Sequence, residues 1–326
     1  MTQRNWAGLH GESFRGVRTL VTGGAGFIGS HLVEALTALG ASVVVLDNLA
    51  GGATENIAPF KPEFIQASVL DESAVGRAMT GCRYVFHLAA LGSVPHSVER
   101  PREFHEVNVT GTLNVLEAAR AAGVQRVMFA ASSAAYGETP QFVKTESIPP
   151  APRSPYAANK IACEAMMAAW SASYGLDTAS LRYFNIFGPR QNANSAYAAV
   201  IAAFAKAIIA GKPPTIFGDG LQSRDFTLVD NAVHANLLAA RSAKPIGGEV
   251  INIACGRSIN LNQLASMMAG LLGRPDLKAI YAPERAGDVK HSLADLTRAE
   301  TMLGYEPIVD FESGLKPTVA WYRSAL

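Results

Sequence analysis

The chain has 326 residues, of which 49% are hydrophobic and 17% are charged. This composition excludes a disordered, collagen-like or coiled-coil protein, and the length allows about two domains. The formal net charge is +1, so the overall charge gives no reason to expect a nucleic acid or an anionic membrane as a partner.

Residues 1–16 lack the apolar stretch of about 7 to 15 residues that a secretory signal requires, so we expect a polar leader. The three cysteines are far apart and in no metal-binding or redox spacing, which predicts reduced thiols in a cytoplasmic protein. The seven histidines are scattered, and we predict no metal site.

In the first half of the chain, short β-branched segments alternate with helical patterns. We expect strands at residues 17–23, 42–48, 63–68, 84–90 and 126–133, and helices at residues 29–39, 71–80, 102–122 and 156–174. Continuous apolar strands separated by helices indicate a parallel sheet that is covered on both faces. The predicted fold class is therefore α/β, a Rossmann-type doubly wound parallel sheet with a smaller C-terminal substrate-binding lobe.

The pattern changes after a predicted strand at residues 178–187. Loop-like segments at 188–195, 211–228 and 281–295 separate helices predicted at 196–210, 230–243 and 260–272. The expected organisation is a leader at 1–16, a Rossmann domain at 17–185 and a mainly substrate-binding lobe at 186–326. Within the last segment, we expect residues 230–255 to return to the Rossmann domain.

A glycine turn connects the first strand to the first helix of the predicted sheet. Gly23, Gly26 and Gly29 allow a tight reversal and close helix packing, and the helix amino terminus can face a pyrophosphate. The second strand ends at Asp47, where a carboxylate can accept hydrogen bonds from both ribose hydroxyls and would repel a 2′-phosphate. The pattern predicts a dinucleotide site that favours NAD over NADP.

Tyr156 and Lys160 are four residues apart on one predicted helix and share a face. A phenol is a base near neutral pH only when a nearby cation favours its ionised form, and Lys160 supplies such a cation. Ser132 ends a strand 24 residues earlier, where its hydroxyl could share a substrate proton. We interpret these three residues as catalytic.

Together these residues resemble the extended short-chain dehydrogenase/reductase superfamily. The segments LRYFNIFGPRQ at 181–191, GDGLQSRDF at 218–226 and RAGDVKHSLAD at 285–295 are similar to its nucleotide-sugar 4-epimerase branch. The resemblance covers about residues 17–322. It implies hydride transfer from C4 of a UDP-sugar to NAD, which gives a 4-keto intermediate. This intermediate rotates within the site, and the hydride then returns to the opposite face of C4.

The resemblance also implies a set of binding residues. The cofactor residues are Gly23, Gly26, Phe27, Ile28, Gly29, Asp47, Asn48, Ser68, Val69, Leu88, Ala89, Ala90, Tyr156, Lys160 and Tyr183. The substrate residues are Ser93, Ser133, Asn185, Ala199, Val200, Phe217, Arg224, Arg285, Asp288 and Ser292. Among these, Asn185 and the two arginines would hold the diphosphate, for which guanidinium groups are suited.

Related reactions are distinguished by the residues after Ser132. Dehydratases and decarboxylases of this superfamily carry a Glu two positions before the Tyr-Gly that follows, and dehydratases also carry an Asp before that Glu. Here these positions are Ser133 and Ala134, which supply no second acid and base pair. This favours simple epimerisation, with a reductase or dehydratase of the same superfamily as an alternative and a non-catalytic cofactor-binding protein as a weaker one.

The sugar is predicted from the position that is Tyr in epimerases restricted to UDP-glucose and small in those that accept N-acetyl sugars. This position is Ser292, which favours UDP-GlcNAc and UDP-GalNAc, and UDP-glucose and UDP-galactose could also fit. A UDP-glucuronate 4-epimerase is an alternative. By analogy with related enzymes, the helices at 102–122 and 156–174 predict a homodimer.

Overall fold

The computed structural model of the chain describes residues 4–193, 199–284 and 290–326. Its strands are β1 (Arg18–Thr22), β2 (Ser42–Asp47), β3 (Glu63–Gln66), β4 (Tyr84–His87), β5 (Arg126–Ser132), β6 (Val143–Lys144), β7 (Asp177–Tyr183), β8 (Ile186–Phe187), β9 (Thr215–Phe217), β10 (Ser223–Asp225), β11 (Thr227–Leu228), β12 (Val250–Ile253), β13 (Ser258–Asn260), β14 (Ile280–Ala282) and β15 (Leu293–Ala294).

The α-helices are α1 (Trp6–His10), α2 (Phe27–Ala38), α3 (Glu72–Met79), α4 (Val94–Glu99), α5 (Pro101–His105), α6 (Gly111–Ala121), α7 (Pro155–Tyr174), α8 (Val200–Ile209), α9 (Val229–Arg241), α10 (Leu261–Leu271), α11 (Thr297–Leu303) and α12 (Phe311–Ala325).

Seven parallel strands form the main sheet in the order β12, β7, β5, β4, β1, β2 and β3. Neighbouring residues along its strands enter two different apolar clusters. Leu20 packs with α3, α6 and α7 on one face, and Val21 packs with α2 and α9 on the other. Because both faces of the sheet are covered, apolar residues follow one another in the middle of these strands, and the sequence shows apolar segments rather than an alternating pattern. The predicted α/β fold class is confirmed.

The smaller lobe is built from α8, α10 and α12 around an apolar cluster of its own. The segments at 211–228 and 281–295, which were predicted to be loops, contain β9, β10, β11, β15 and the last two residues of β14. Strands of two or three residues are too short to show a repeating pattern, so the sequence could not reveal them. β12 lies beside β7 in the main sheet, and the division into two functional parts stays a prediction.

Two predicted elements are interrupted. The helix expected at 102–122 consists of α5, a π-helical segment at Glu106–Thr110 and α6. The strand expected at 178–187 ends at Tyr183, and β8 begins three residues later. Between them, Asn185 has a positive φ of 38°, which no strand residue adopts.

The amino-terminal segment corrects the prediction of a polar leader. Within residues 4–16, α1 and the turn after it dock on the main body, and Trp6, His10 and Phe14 are buried. The Phe14 ring lies edge-on to that of Tyr84, with centroids 6.0 Å apart. His10 Nε2 is 3.1 Å from Nδ1 of His234 on α9. The three buried residues are four apart, but the middle one is a histidine and the nearby Leu9 is exposed, so the sequence shows no clear apolar face.

No helix within the described ranges is both long enough and apolar enough to cross a bilayer.

We predict that Phe14→Ala lowers the free energy of unfolding by about 3–5 kcal/mol, because it leaves a cavity beside Tyr84. Leu9→Ala is the matched control, since Leu9 lies on α1 but is exposed. Chemical denaturation of both variants provides the measurement. Equal stability of the two variants would mean that the segment contributes nothing to the core.

Candidate active site

The glycine turn brings three backbone segments into close contact. A Cβ at Gly23 would lie 2.7 Å from the amide nitrogen of Ala89, and one at Gly29 would lie 2.2 Å from the carbonyl oxygen of Gly23. Gly23 also has a positive φ of 70°. A side chain at either position would therefore push α2 or the end of β4 away from β1. Glycine is required here to bring the end of β4 against the turn.

The amino terminus of α2 has its amide groups available for an anion. Its N-cap is Gly26, and no side chain caps these amides. Asp47, at the end of β2, is buried and accepts hydrogen bonds from the amides of Ala25 at 3.0 Å and Leu49 at 2.7 Å. The carboxylate is thus held against the glycine turn. An uncapped helix terminus beside a fixed carboxylate suits a pyrophosphate and a ribose, so these residues fit NAD.

The other predicted cofactor residues have local contacts. Asn48 is exposed and accepts from the amide of Ala50, and half-buried Ser68 accepts from the amide of Leu70. Phe27 and Ile28 begin α2, Leu88, Ala89 and Ala90 follow β4, and Val69 is buried. The hydroxyl of Tyr183 accepts from Nδ2 of Asn236 at 2.6 Å, so its side chain contacts α9, and burial raises its pKa.

His87 is the centre of a buried hydrogen-bonded chain under this site. Thr112 donates its hydroxyl hydrogen to the carbonyl of Asn108 at 2.6 Å, so it accepts from Nε2 of His87 at 3.0 Å. Nδ1 of His87 therefore accepts from the Thr22 hydroxyl at 2.7 Å. Thr22 in turn accepts from the amide of Ala89 at 3.3 Å. This chain of hydrogen bonds fixes which ring nitrogen of His87 carries the hydrogen, and it links β1 to β4 beside the glycine turn.

The imidazole of His87 stays neutral. Its complete burial, and then the positive charge of Lys160, lower its pKa to about 3. The sequence did not reveal this role, because the threonine partners lie 65 and 25 residues away along the chain. The position of His87 at the end of a predicted strand was the one sequence feature that could have indicated a role at the site.

The three residues predicted to be catalytic lie where α7 crosses β5. The buried ammonium of Lys160 donates to the carbonyl of Ala130 at 2.6 Å, two residues before Ser132. The same ammonium lies 4.6 Å from the ring centroid of Phe129 and 5.8 Å from that of Tyr156. Tyr156 is half-buried. Ser132 ends β5, and its hydroxyl accepts from the amide of Ala134 at 3.2 Å. The structure thus places a cation beside a phenol at the end of the strand that carries Ser132.

The predicted substrate residues Arg224 and Ser292 are neighbours. The amide of Ser292 donates to the carbonyl of Ser223 at 3.1 Å, and Arg224 donates to the carbonyl of Lys290 at 3.3 Å. Ser292 is buried and Arg224 is half-buried. Asn185 is connected to the same region, because its carbonyl accepts from the amide of Thr227 at 3.2 Å.

Asp225 is a residue whose importance the sequence did not reveal. It is fully buried and accepts from the amides of Cys255, Gly256 and Ala294. Burial raises its pKa to about 6, and the amide donors oppose that rise. Asp225 thereby fixes β10, and with it Arg224, against the segment that follows β12 and against β15.

The remaining substrate predictions are less closely grouped. Ser93 caps α4 by accepting from the amide of His96, and Phe217 ends β9. Ala199 and Val200 lie at the start of α8, and half-buried Ser133 follows Ser132. Arg285 and Asp288 lie outside the described residues. Among the residues that the structure describes, no group of three or more His, Cys, Asp or Glu side chains could hold a metal ion.

Comparison with known proteins finds similarity over almost the whole chain. The family described as "NAD dependent epimerase/dehydratase family" matches residues 19–254. A UDP-glucose 4-epimerase of Mycolicibacterium smegmatis is 40% identical over 314 residues, which cover 94% of this chain and 99% of that protein.

Two solved structures are also similar. The UDP-N-acetylglucosamine 4-epimerase of Methanobrevibacter ruminantium, in complex with UDP-N-acetylmuramic acid, is 42% identical with a TM-score of 0.91, covering 96% of this chain and 100% of that one. The UDP-glucose 4-epimerase of Thermus thermophilus, in complex with NAD, is 38% identical with a TM-score of 0.87, covering 95% and 100%.

We predict that Gly26→Asp weakens NAD binding by about tenfold or more, because it places a carboxylate where the pyrophosphate would lie. The same residue is a favourable N-cap, so the melting temperature without NAD should be unchanged or higher. Gly76→Asp, on the exposed side of α3, is the matched control for the added charge. NAD titration and thermal melts provide the measurement, and wild-type NAD affinity in Gly26→Asp would refute this location.

Proposed function

This chain belongs to the NAD-dependent epimerase/dehydratase family, and we propose that it interconverts UDP-N-acetylglucosamine and UDP-N-acetylgalactosamine. It is an NAD-dependent UDP-sugar 4-epimerase. The observation that carries the choice of sugar is the small residue Ser292, buried beside Arg224. A hydroxymethyl group there leaves room for an acetamido substituent that a tyrosine would exclude.

The proton chemistry is assigned to Tyr156. In this proposal its phenolate removes the proton from O4 of the sugar and later returns it, while Lys160 stabilises the negative charge. Ser132 hydrogen-bonds the same sugar oxygen. Bound NAD supplies the acceptor and donor for the hydride that leaves and returns to C4.

One acid and base pair is sufficient for this reaction. Elimination of water would require a second pair beside the sugar, and the positions that would carry it hold Ser133 and Ala134. Both residues are half-buried and follow Ser132 directly. Neither can give or take a proton at neutral pH, which supports epimerisation over dehydration.

Binding of the two halves of the substrate should differ in strength. Arg224 is a cation on a strand that is fixed by the buried Asp225, and so it suits a diphosphate. Around the sugar, Ser132, Ser133 and Ser292 offer only small neutral groups. A firmly held diphosphate and a loosely held sugar allow the oxidised sugar to turn over and present its other face.

We further propose a homodimer that is formed through the helices α5, α6 and α7. Leu113 on α6 is an exposed apolar residue, which supports a contact at this surface. The cysteines are free, in agreement with the cytoplasmic location that we propose.

We predict that the purified protein converts UDP-GlcNAc to UDP-GalNAc with at most catalytic amounts of added NAD. Tyr156→Phe should lower kcat by about 100-fold to 10,000-fold, because it removes the general base. Tyr174→Phe is the matched control, since this tyrosine lies on the same helix but is exposed. Chromatography of the nucleotide sugars measures both, and full activity of Tyr156→Phe would refute the mechanism.

We predict that Ser292→Tyr removes activity on N-acetyl sugars and keeps activity on UDP-glucose, because the larger side chain fills the space for the acetamido group. Ser292→Ala should retain both activities. Initial rates with UDP-GlcNAc, UDP-glucose and UDP-glucuronate test the choice of sugar. A preference for UDP-glucuronate in the wild-type protein would replace the proposed substrate.

A further inference from the structure

Two pairs of a buried arginine and a carboxylate lie at opposite ends of β5 and β7. At the amino ends, Arg126 and Asp177 are register partners, and Nε of Arg126 is 2.5 Å from Oδ2 of Asp177. At the carboxyl ends, Arg182 of β7 is the register partner of Ala131 of β5. Arg182 donates twice to Glu164 of α7, at 2.8 Å and 2.7 Å. The second pair therefore joins the sheet to the catalytic helix.

Glu164 continues the catalytic face of α7. Tyr156, Lys160 and Glu164 follow each other at intervals of four residues, about one helical turn each. Lys160 attaches this face to β5 through the carbonyl of Ala130, and Glu164 attaches it to β7 through Arg182. Two attachments on successive turns fix both the rotation and the axial position of the helix. Cys163 and Met167 of α7 also pack in the core, so the pair adds a directional attachment to that apolar contact.

The same arginine also reaches the turn after Ser132. Its guanidinium carbon lies 4.5 Å from the ring centroid of Tyr136, the last residue of the turn that Ser132 begins. The Tyr136 hydroxyl donates to Oδ1 of Asn252 on β12 at 2.6 Å. Burial raises the pKa of Tyr136, so this hydroxyl keeps the proton that it donates. Arg182 thus contacts both the helix that carries Tyr156 and the turn that carries Ser132.

We propose that Glu164 and Arg182 are positioning residues, which set the phenol of Tyr156 and the hydroxyl of Ser132 at a fixed separation. This inference rests on the proposed function, since those two groups act on one sugar oxygen. Neither member of the pair contacts the substrate. Their effect is geometric, and a displacement of about 1 Å between reacting groups can cost about 100-fold in rate.

Burial makes the pair of Glu164 and Arg182 suited to fixing the position of Tyr156 relative to Ser132. The side chains of Glu164 and Arg182 are 5% and 3% exposed, so water does not compete for their hydrogen bonds. The two parallel bonds from one guanidinium to one carboxylate also define an orientation, which a single bond would not. Each group is also held by its own element, because Glu164 lies within α7 and Arg182 within β7.

The test compares Glu164→Gln with Asp177→Asn, which neutralises the carboxylate at the other end of the same strands. Both variants leave a buried arginine without its charge partner, so both should melt at lower temperature. Only Glu164→Gln should lower kcat, by about tenfold or more, while KM for the UDP-sugar changes by less than about threefold. An equal loss of kcat in the two variants would overturn the proposal.

A second variant separates positioning from stability. Glu164→Met combined with Arg182→Leu removes both charges and replaces them with apolar groups, a change that often preserves or raises stability. We expect the double variant to melt near the wild-type temperature and still to show the loss of kcat. A stable double variant with wild-type kcat would refute the positioning role.

One measurement is independent of turnover. Crystal structures of the wild-type protein, Glu164→Gln and Asp177→Asn give the distance between the hydroxyl oxygens of Tyr156 and Ser132. This distance should change by about 1 Å in Glu164→Gln and remain unchanged in Asp177→Asn, because only the former releases α7 from β7. An unchanged distance in Glu164→Gln overturns the inference. Absence of UDP-sugar conversion by the wild-type protein would instead refute the proposed function.

Discussion

The arrangement of the candidate active site depends on one buried ammonium group, that of Lys160, which lies beside Tyr156. Lys160 is 3% exposed, and its ammonium donates to the carbonyl of Ala130. Within the described ranges, this ammonium forms no salt bridge with a carboxylate. Such a charge costs several kcal/mol to remove from water, so the surrounding fold must bear that cost. The carbonyl and the ring of Phe129 offset part of it. Both belong to β5, so the strand that ends at Ser132 also holds the cation in place.

The sequence was most informative where one short segment determines the geometry. The glycine turn follows from residues within seven positions of each other, and the close approach of Gly29 to Gly23 explains why the signal was clear. Tyr156 and Lys160 were identifiable for the same reason, since helix geometry alone places them on one face. The parallel sheet was also predictable, because apolar residues follow one another in the middle of its central strands, as at Leu20 and Val21.

Features that depend on distant partners could not be predicted. His87 is bonded to Thr22 and Thr112, and Arg182 to Glu164, at separations of 18 to 65 residues. No spacing rule marks such pairs, because the fold alone brings them together. The same limit applies to Asp225, whose donors are amides that any residue could supply. The docked amino-terminal helix was missed because one of its two buried residues is a histidine and its leucine is exposed.

Because α1 is docked on the main body, the fluorescence of Trp6 can report on the position of the amino-terminal segment. The chain contains three tryptophans, and Trp6 is the one in the amino-terminal segment, where it is 5% exposed. Trp170 lies on α7 against Glu117, and Trp321 lies on α12 in the smaller lobe. Because indole fluorescence moves to longer wavelengths on contact with water, proteins that retain one tryptophan each would report separately on undocking of the amino-terminal segment, on α7 and on the smaller lobe.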